Sequence, residues 1–493
     1  MSGFPSINYL ELVIKTINFK GDEMKEIIAR LIELNDIVVS SCKNDDFNSV
    51  TVTGKPSLTS VDAAHQIVRT GLTWNGNNVF HKAANITFSF PEFYFSSYTP
   101  GKNETGLSQF TNIQKNMAKL SIQAWSDVAD ITFLEVSAVQ RSNITFGNYS
   151  LQADGKTPAY SQAYAYLPGG GGASGQTWYN YNMNNIQRPD LYEYGRQTLS
   201  HELGHALGLS HPGSYNAGNG NPTYDKNAVY AEDTRMYSIM SYWSEKYTGG
   251  DHQGHYSFAP LLHDITAIQY LYGANMSTRL DDTVYGFNSN TGRDFLSTNS
   301  SEKKLIFSVW DAGGNDTFDF SGYGNSQHIN INEEKFSDVG GLKGNVSIAK
   351  GVIIENVIGG YGNDVIIGND SVNILKGGRG NDVIFGGGGG DELYGGEGKD
   401  VFLYYFSKES TQSRYDWIRD FQTGIDKIDI SYLNKKLDGE IRFVELSSDK
   451  KGDASIKYEP SNDITTLSLN MGWEPNFILK IVGAVNTETD FFI

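Results

Sequence analysis

His201-Glu202-Leu203-Gly204-His205-Ala206-Leu207-Gly208-Leu209-Ser210-His211 is the stretch on which the reading of this chain turns. Residues four apart on an α-helix share one face a turn apart, so the imidazoles of His201 and His205 reach one point in space. Glu202 is rotated to the side of that pair and faces the same point without occupying it. Gly208 is a residue that adopts positive φ readily, which lets the chain leave the helix and swing His211 back as a third nitrogen donor. Three histidines and an open position make a catalytic zinc set, because structural zinc is usually closed by four ligands including several cysteines. A metal there polarises a carbonyl and acidifies water, and Glu202 is the base that moves the proton to the leaving amine. The bland alternative is a helix with surface histidines, and the spacing of Gly208 and His211 outweighs it. His65, His81, His252, His255, His263 and His328 lack such spacing and read as structural or solvated.

Around this core, Tyr192 to Leu207 reads as the helix that carries the motif, closed by Gly208. Leu107 to Val128 has apolar residues three and four apart and reads as a second amphipathic helix. Ile131-Thr132-Phe133 and Asn143-Ile144-Thr145-Phe146 are short strands rich in β-branched and aromatic residues. Ala163 to Leu167 alternates and runs into Pro168 and a glycine run, which reads as an edge strand.

Beyond about residue 310 the texture changes to glycine and aspartate at a fixed period. Residues 359–403 divide into five nonapeptides, GGYGNDVII, GNDSVNILK, GGRGNDVIF, GGGGGDELY and GGEGKDVFL. All but the degenerate second fit GGxGxDxUx with U apolar. The glycines allow tight turns with inward carbonyls, the aspartate adds a carboxylate, and U faces the interior of a short parallel strand. The expected calcium donors are Asp364, Asp382, Asp391 and Asp400, with backbone oxygens from Gly360, Gly362, Gly377, Gly378, Arg379, Gly380, Gly387, Gly389, Gly396 and Gly398. Five units in phase argue against a flexible glycine linker.

Composition agrees. The 493 residues exceed one typical core, and 39% hydrophobic residues supply apolar surface for two or three domains. A net charge of −18 repels nucleic acid and anionic membranes and favours hard cations. The single cysteine, Cys42, excludes an intramolecular disulfide, which leaves bound metal as a source of rigidity. No apolar run is long enough to span a bilayer, and no ordinary secretory signal peptide is legible at the N-terminus. Residues 1–50 read as a leader removed on maturation, with a helix over Met24–Val39, in preference to a packed first helix of the domain. Lys20-Gly21-Asp22-Glu23 is what a translated purine-rich ribosome-binding site would give, so Met24 is the expected natural start.

The motif at 201–211, together with Ser238-Ile239-Met240-Ser241-Tyr242, resembles the metzincin clan and its Met-turn. With Pro212, Tyr242 and the glycine–aspartate repeats, the chain from about 55 to 493 is similar to the serralysin family of bacterial secreted zinc proteases. The resemblance implies an α+β architecture: a zincin-type metalloprotease domain over 51–272, with a mixed sheet and an active-site helix, then an all-β parallel β-roll over 273–493. It implies zinc on His201, His205 and His211, Met240 beneath the metal, and Tyr242 as a ligand that swings off to bind the oxyanion. It implies substrate pairing along Ala163, Tyr164 and Ala165. It also implies calcium at Arg279, Asp281, Thr283, Asp311, Gly313, Gly314, Asp316, Ile353 and Glu355, several through backbone oxygens only. Asp490-Phe491-Phe492-Ile493 resembles the tail by which the family leaves through a type I secretion apparatus. Further partners are protein substrates and a small periplasmic proteinaceous inhibitor, with the enzyme itself a monomer.

Two other classes compete. A calcium-binding adhesive protein with a decayed enzyme half is opposed by the intact Glu202, histidines and Tyr242. A repeat-bearing lipase needs G-x-S-x-G, which the strings around Ser174 and Ser210 miss. Cys42 as an inhibitory zinc ligand lacks the surrounding motif.

Overall fold

The amphipathic stretch expected from Leu107 to Val128 becomes helical later than its apolar spacing places it. In the computed structural model the helix α1 covers Asn112–Val128, and Thr111 caps it. Thr111 Oγ1 accepts from Gln114 N while Gln114 Oε1 accepts from Thr111 N, a reciprocal box that satisfies two otherwise orphaned donors. The structure describes residues 54–493 except 94–99, 170, 192, 217–219, 447 and 473–474. The expected leader helix, Cys42 and the Met24 start lie outside the described residues.

A mixed sheet forms the framework of the first half. Its strands are β1 (Ala84–Ser89), β2 (Ser108–Gln109), β3 (Ile131–Glu135), β4 (Ile144–Tyr149), β5 (Ala163–Ala165) and β6 (Gln176–Asn180). The order is β3-β1-β4-β6-β5, with β2 paired to β4. β1 pairs parallel with β3 and β4, and β4 with β6, whereas β5 is antiparallel to β6 at the edge. A further helix, α2 (Glu193–Ala206), carries the motif. Trp125, fully buried in α1, donates from Nε1 to Ser200 O at 3.1 Å and fastens the two helices together. The carbonyls at the C-terminal end of α2 and just past it are satisfied from elsewhere: Trp74 Nε1 donates to Ala206 O at 2.9 Å and Tyr272 Oη to Leu207 O at 2.8 Å.

The second half is all-β and large. One sheet stacks Val365–Ile367, Val383–Phe385, Val401–Leu403, Lys427–Asp429 and Phe491–Phe492 in parallel. The facing sheet stacks Thr317–Asp319, Asn356–Ile358, Ile374–Arg379, Glu392–Glu397, Asp416–Ile418 and Phe477–Val482, also parallel. Successive nonapeptides alternate between the sheets, so each turn of the roll consumes two of them. The U residues Ile366, Leu375, Ile384, Leu393 and Phe402 are all buried between the layers. The roll ends in antiparallel strands Asp453–Glu459 and Ile464–Leu469 that extend the second sheet.

One apolar cluster runs from Ala64 through Trp125 and Leu203 to Phe307, Phe402 and Phe477. Charged pairs reinforce the junction. Buried Arg196 of α2 pairs with Asp294, and Asp127 of α1 receives both Arg279 and Arg293. No helix among the described residues is long and apolar enough to cross a membrane.

Candidate active site

Helix α2 presents His201 and His205 one turn apart, and the chain turns at Gly208, whose φ is +113°. An added Cβ at Gly208 would lie 2.3 Å from Leu72 O, so both the conformation and the close approach require glycine there. The turn brings His211 back, and ligand atoms of the three histidines lie within 4.8 Å of one another.

Each imidazole is pinned through Nδ1 by a backbone carbonyl at 2.7 Å: His201 by Ile239, His205 by Leu209 and His211 by Tyr215. A carbonyl can only accept, so each Nδ1 carries the proton and each Nε2 presents a bare lone pair. The Nε2 of His211 stands 3.3 Å from that of His201 and 3.1 Å from that of His205. Bare lone pairs repel at that range unless a cation lies between them. A tetrahedral zinc with arms of about 2.05 Å has ligand–ligand edges of about 3.3 Å, so the donor set fits that ion. Burial pushes His201 down to about 4, and burial with the neighbouring imidazoles pushes His205 to about 3 and His211 well down, which keeps all three neutral.

Two buried aspartates hold the segments that hold the histidines. Asp264 accepts from Ser238 Oγ at 2.6 Å and from Ile239 N at 2.7 Å, fixing the carbonyl that receives His201. Asp233 accepts from Tyr215 Oη at 2.8 Å, Ser241 Oγ at 2.7 Å and Trp243 Nε1 at 3.2 Å. It thus grips the residues on either side of Tyr242 together with the tyrosine whose carbonyl receives His211. The Tyr215 ring lies flat on His211, with centroids 5.2 Å apart at 9°. Arg69 adds bonds to the carbonyls of His211 and Gly213. No motif marks these partners, because they come from segments up to 142 residues from the ligands they serve.

Met240 is fully buried. A Cβ on Gly204 would stand 2.6 Å from its Sδ, so this methionine packs directly under the ligand helix and Gly204 makes room for it. The Tyr242 ring centroid is 4.4 Å from that of His211. Glu202 is buried, its Oε2 has no hydrogen-bond partner, and burial lifts its carboxyl to about 8 against a smaller opposing pull from Lys102.

His201, Glu202, His205, His211 and Tyr242 line a cleft of about 1060 Å³ edged by β5. Gln162 and Tyr166 spend their backbone groups on β6: Asn180 N donates to Gln162 O, Tyr166 N to Gln176 O, and Gly175 N to Tyr166 O. By the alternation of an antiparallel ladder, the backbone N–H and C=O of Ala163 and Ala165 face outward. Tyr164 turns its backbone to β6, and its hydroxyl donates to Glu104 at 2.6 Å.

With this geometry the comparisons are specific. The family model described as Peptidase M10 serralysin C terminal matches residues 274–493, and the one described as Matrixin matches 97–231. Serralysin C of Dickeya chrysanthemi is 56% identical over 448 residues, covering 90% of this chain and 92% of that protein. The chain belongs to the serralysin family. Serralysin of Photorhabdus luminescens is 49% identical over 455 residues, 90% of this chain and 92% of that one. Metallopeptidase AprA of Pseudomonas marginalis is 51% identical over 453 residues, 89% and 92%. As a serralysin the protein is a zinc metalloendopeptidase, with a matrixin-type first half and a β-rich second half.

The residues expected to bind calcium fall into two groups. In the first, Asp316 Oδ1 accepts from Thr283 N at 2.8 Å, Glu355 Oε2 from Asp316 N at 2.7 Å, and Asp311 Oδ1 from Gly313 N at 2.9 Å. A Cβ on Gly314 would stand 2.7 Å from Asp281 O, which places that carbonyl in the same cluster. Burial, with Asp311, Glu355 and Asp282 nearby, lifts Asp316 to about 7. The Arg279 guanidinium is taken by Trp310 O and Asp127, and the Ile353 side chain is exposed, so only their carbonyls are available as donors.

In the second group the carboxylates stack as ladders. Asp364 N donates to Asp382 Oδ1 at 2.7 Å, Asp382 N to Asp400 Oδ1 at 2.9 Å, and Asp400 N to Asp426 Oδ1 at 3.0 Å. On the other side Asn373 N donates to Asp391, and Asp391 N to Asp416, both at 2.9 Å. The second oxygens of Asp391, Asp400 and Asp416 are buried without a hydrogen-bond partner. Glycines of one turn press on carbonyls of the turn below: Cβ atoms would stand 2.0 Å from Gly378 O at Gly396 and 2.4 Å from Asn369 O at Gly387. Gly360 N donates to Asp364 Oδ2 at 2.6 Å. Gly362 lies against Asn325, Gly377 against Asp382, Gly380 against Gly362, Gly389 against Asp391 and Gly398 against Gly380. Arg379 lays its guanidinium over Tyr361 and pairs with Glu397 at the surface, which leaves only its backbone for an ion. Asp416 and Asp426 escape the periodic reading because their steps are 25 and 26 residues instead of 18.

Proposed function

We propose that this serralysin is secreted and cuts extracellular proteins, with zinc held by His201, His205 and His211 and Glu202 acting as general base. The observation that carries the assignment is the convergence of three bare Nε2 atoms beside Glu202 in a cleft edged by β5. Zinc, when bound, supplies a Lewis acid that polarises the scissile carbonyl and acidifies water. The outward backbone of Ala163 and Ala165 pairs with an extended substrate and holds its carbonyl over the histidines, with Tyr164 shaping the wall. Glu202 takes the proton of the attacking water and returns it to the departing nitrogen. Tyr242, packed on His211, donates to the oxyanion as its charge develops. Met240 supports the ligand helix from below. Glu202→Ala should keep zinc while losing proteolysis by about 10²- to 10⁴-fold or more. Full activity in that variant contradicts the assignment.

We read residues 51–272 as catalytic and 273–493 as a calcium roll, with residues 1–50 a leader. The support is that burying like-charged carboxylates costs several kcal/mol each unless a cation compensates, and here three such oxygens lack partners. In calcium-poor cytoplasm the roll stays open; outside, ion binding becomes folding free energy. An open chain suits type I export. The Asp490 carboxylate accepts from Thr423, Gly424 and Asn486, and Phe491–Phe492 pairs with Ile428–Asp429. An export signal at this tail is therefore readable only before the roll closes. A reporter fused to residues 480–493 should leave the cell through a type I apparatus, and retention of the fusion would count against this route.

A further inference from the structure

We propose that Arg235 selects substrates with an acidic side chain on the first residue after the scissile bond; this rests on the endopeptidase reading above. Arg235 lines the catalytic cleft and also a small recess behind it, together with Gln197. Its backbone N–H donates to Trp243 O at 2.9 Å, which sets it on the wall that carries Ser241 and Tyr242. Its guanidinium stacks 5.1 Å from the Tyr256 ring centroid, and Tyr256 packs against Tyr194 at 5.0 Å. Among the described residues no carboxylate pairs with Arg235. Glu193 is taken by His255 and Tyr256 N, and Glu245 receives His252 N. The cleft's other cation, Lys102, sits over Tyr164, whose hydroxyl bonds Glu104. Arg235 is therefore a half-buried fixed charge with an aromatic backing and no internal anion, which is how a carboxylate-reading subsite is built.

The direction of the substrate places this subsite. Along the cleft α2 presents Tyr194, Gln197, Thr198, His201, Glu202 and His205. Gln162, just before β5, donates to Thr198 Oγ1 at 2.6 Å, so β5 starts at the Thr198 end of the helix and runs away from it. A substrate antiparallel to β5 thus enters at the far end and carries its carboxyl-terminal side out past Thr198 and Gln197. Gln197 is four residues, about 6 Å of helix, before His201. An extended peptide advances about 3.4 Å per residue, so the side chain just past the cleaved bond reaches toward Gln197, Thr198 and Arg235.

The test uses zinc- and calcium-loaded full-length protein and internally quenched peptides that differ only in Glu, Gln or Leu at that residue, with the cut mapped by mass spectrometry. The wild type should favour Glu over Gln in kcat/KM by about tenfold, the worth of one partly desolvated charge-assisted pair. High salt should shrink that ratio. Arg235→Met should bring it near one, Arg235→Lys should keep part of it, and Arg235→Glu should invert it. A wild-type ratio within twofold of one overturns the inference even if no variant folds, as does an unchanged ratio in Arg235→Met. Failure of the wild type to cut any peptide would sink the endopeptidase reading itself, and the inference with it.

Discussion

Asp233 is the group whose removal should cost the zinc site most without touching a ligand. Asp233→Ala strips the acceptor from Tyr215 Oη, Ser241 Oγ and Trp243 Nε1 at once, all three in a fully buried pocket. Each buried donor left unsatisfied costs about 1–3 kcal/mol, and relaxation makes the sum sub-additive, so a total of about 3–5 kcal/mol is expected. Part of that appears at the metal, because Tyr215 O orients His211 and Ser241–Trp243 brackets Tyr242. Partners of metal ligands are typically worth about 10- to 100-fold in affinity. Asp233→Asn is the internal control. Its remaining oxygen still serves Tyr215 and Ser241, while its NH2 confronts Trp243 Nε1, so it should lose about one bond's worth. Zinc release against a chromogenic chelator, with thermal unfolding of the same samples, reads both effects. The predicted order of zinc retention is wild type, then Asn, then Ala. Equal retention in all three would refute the role given to Asp233.

Gly204→Ala puts a methyl 2.6 Å from Met240 Sδ and 3.1 Å from the Trp125 ring. Overpacking of that kind costs about 1–3 kcal/mol, and pairing it with Met240→Ala should restore part of the melting temperature. The stability of the roll should fall with rising pH when calcium is removed, and calcium should offset that fall. Burial, reinforced by Asp416 and Asp426 in turn, lifts Asp391 to about 9 and Asp400 to about 7, above the unfolded value near 4. The metal-free fold therefore binds more protons than the unfolded chain, and its stability is lost as pH rises from about 4 through 7–9. Chelated protein should melt lower at pH 8 than at pH 5.5, and the increment from added calcium should be larger at pH 8. Equal increments would contradict the carboxylate ladders as the calcium sites.

Much of this was legible in the residues because the chemistry repeats locally. His201 to His211 fits on one helix and one turn, and the nonapeptides state their own period. Ladder positions without the period, Asp416 and Asp426, were not legible, since the insertions between them change the step. Asp233, Asp264, Tyr215 and Arg69 were silent for a different reason. Their work is done through hydrogen bonds to backbone and hydroxyl groups of other segments, and no spacing in one chain reports such pairing. The start of α1 was missed where Thr111 and Gln114 form their cap, a signal the apolar period does not carry.

The most direct measurement is metal analysis of the purified protein beside His201→Ala and His205→Ala, with peptide cleavage on the same samples. One zinc and several calcium ions are expected in the wild type, with zinc and cleavage lost together in both variants while calcium remains. A wild type that cleaves without zinc, or a variant that keeps its zinc, would contradict that expectation.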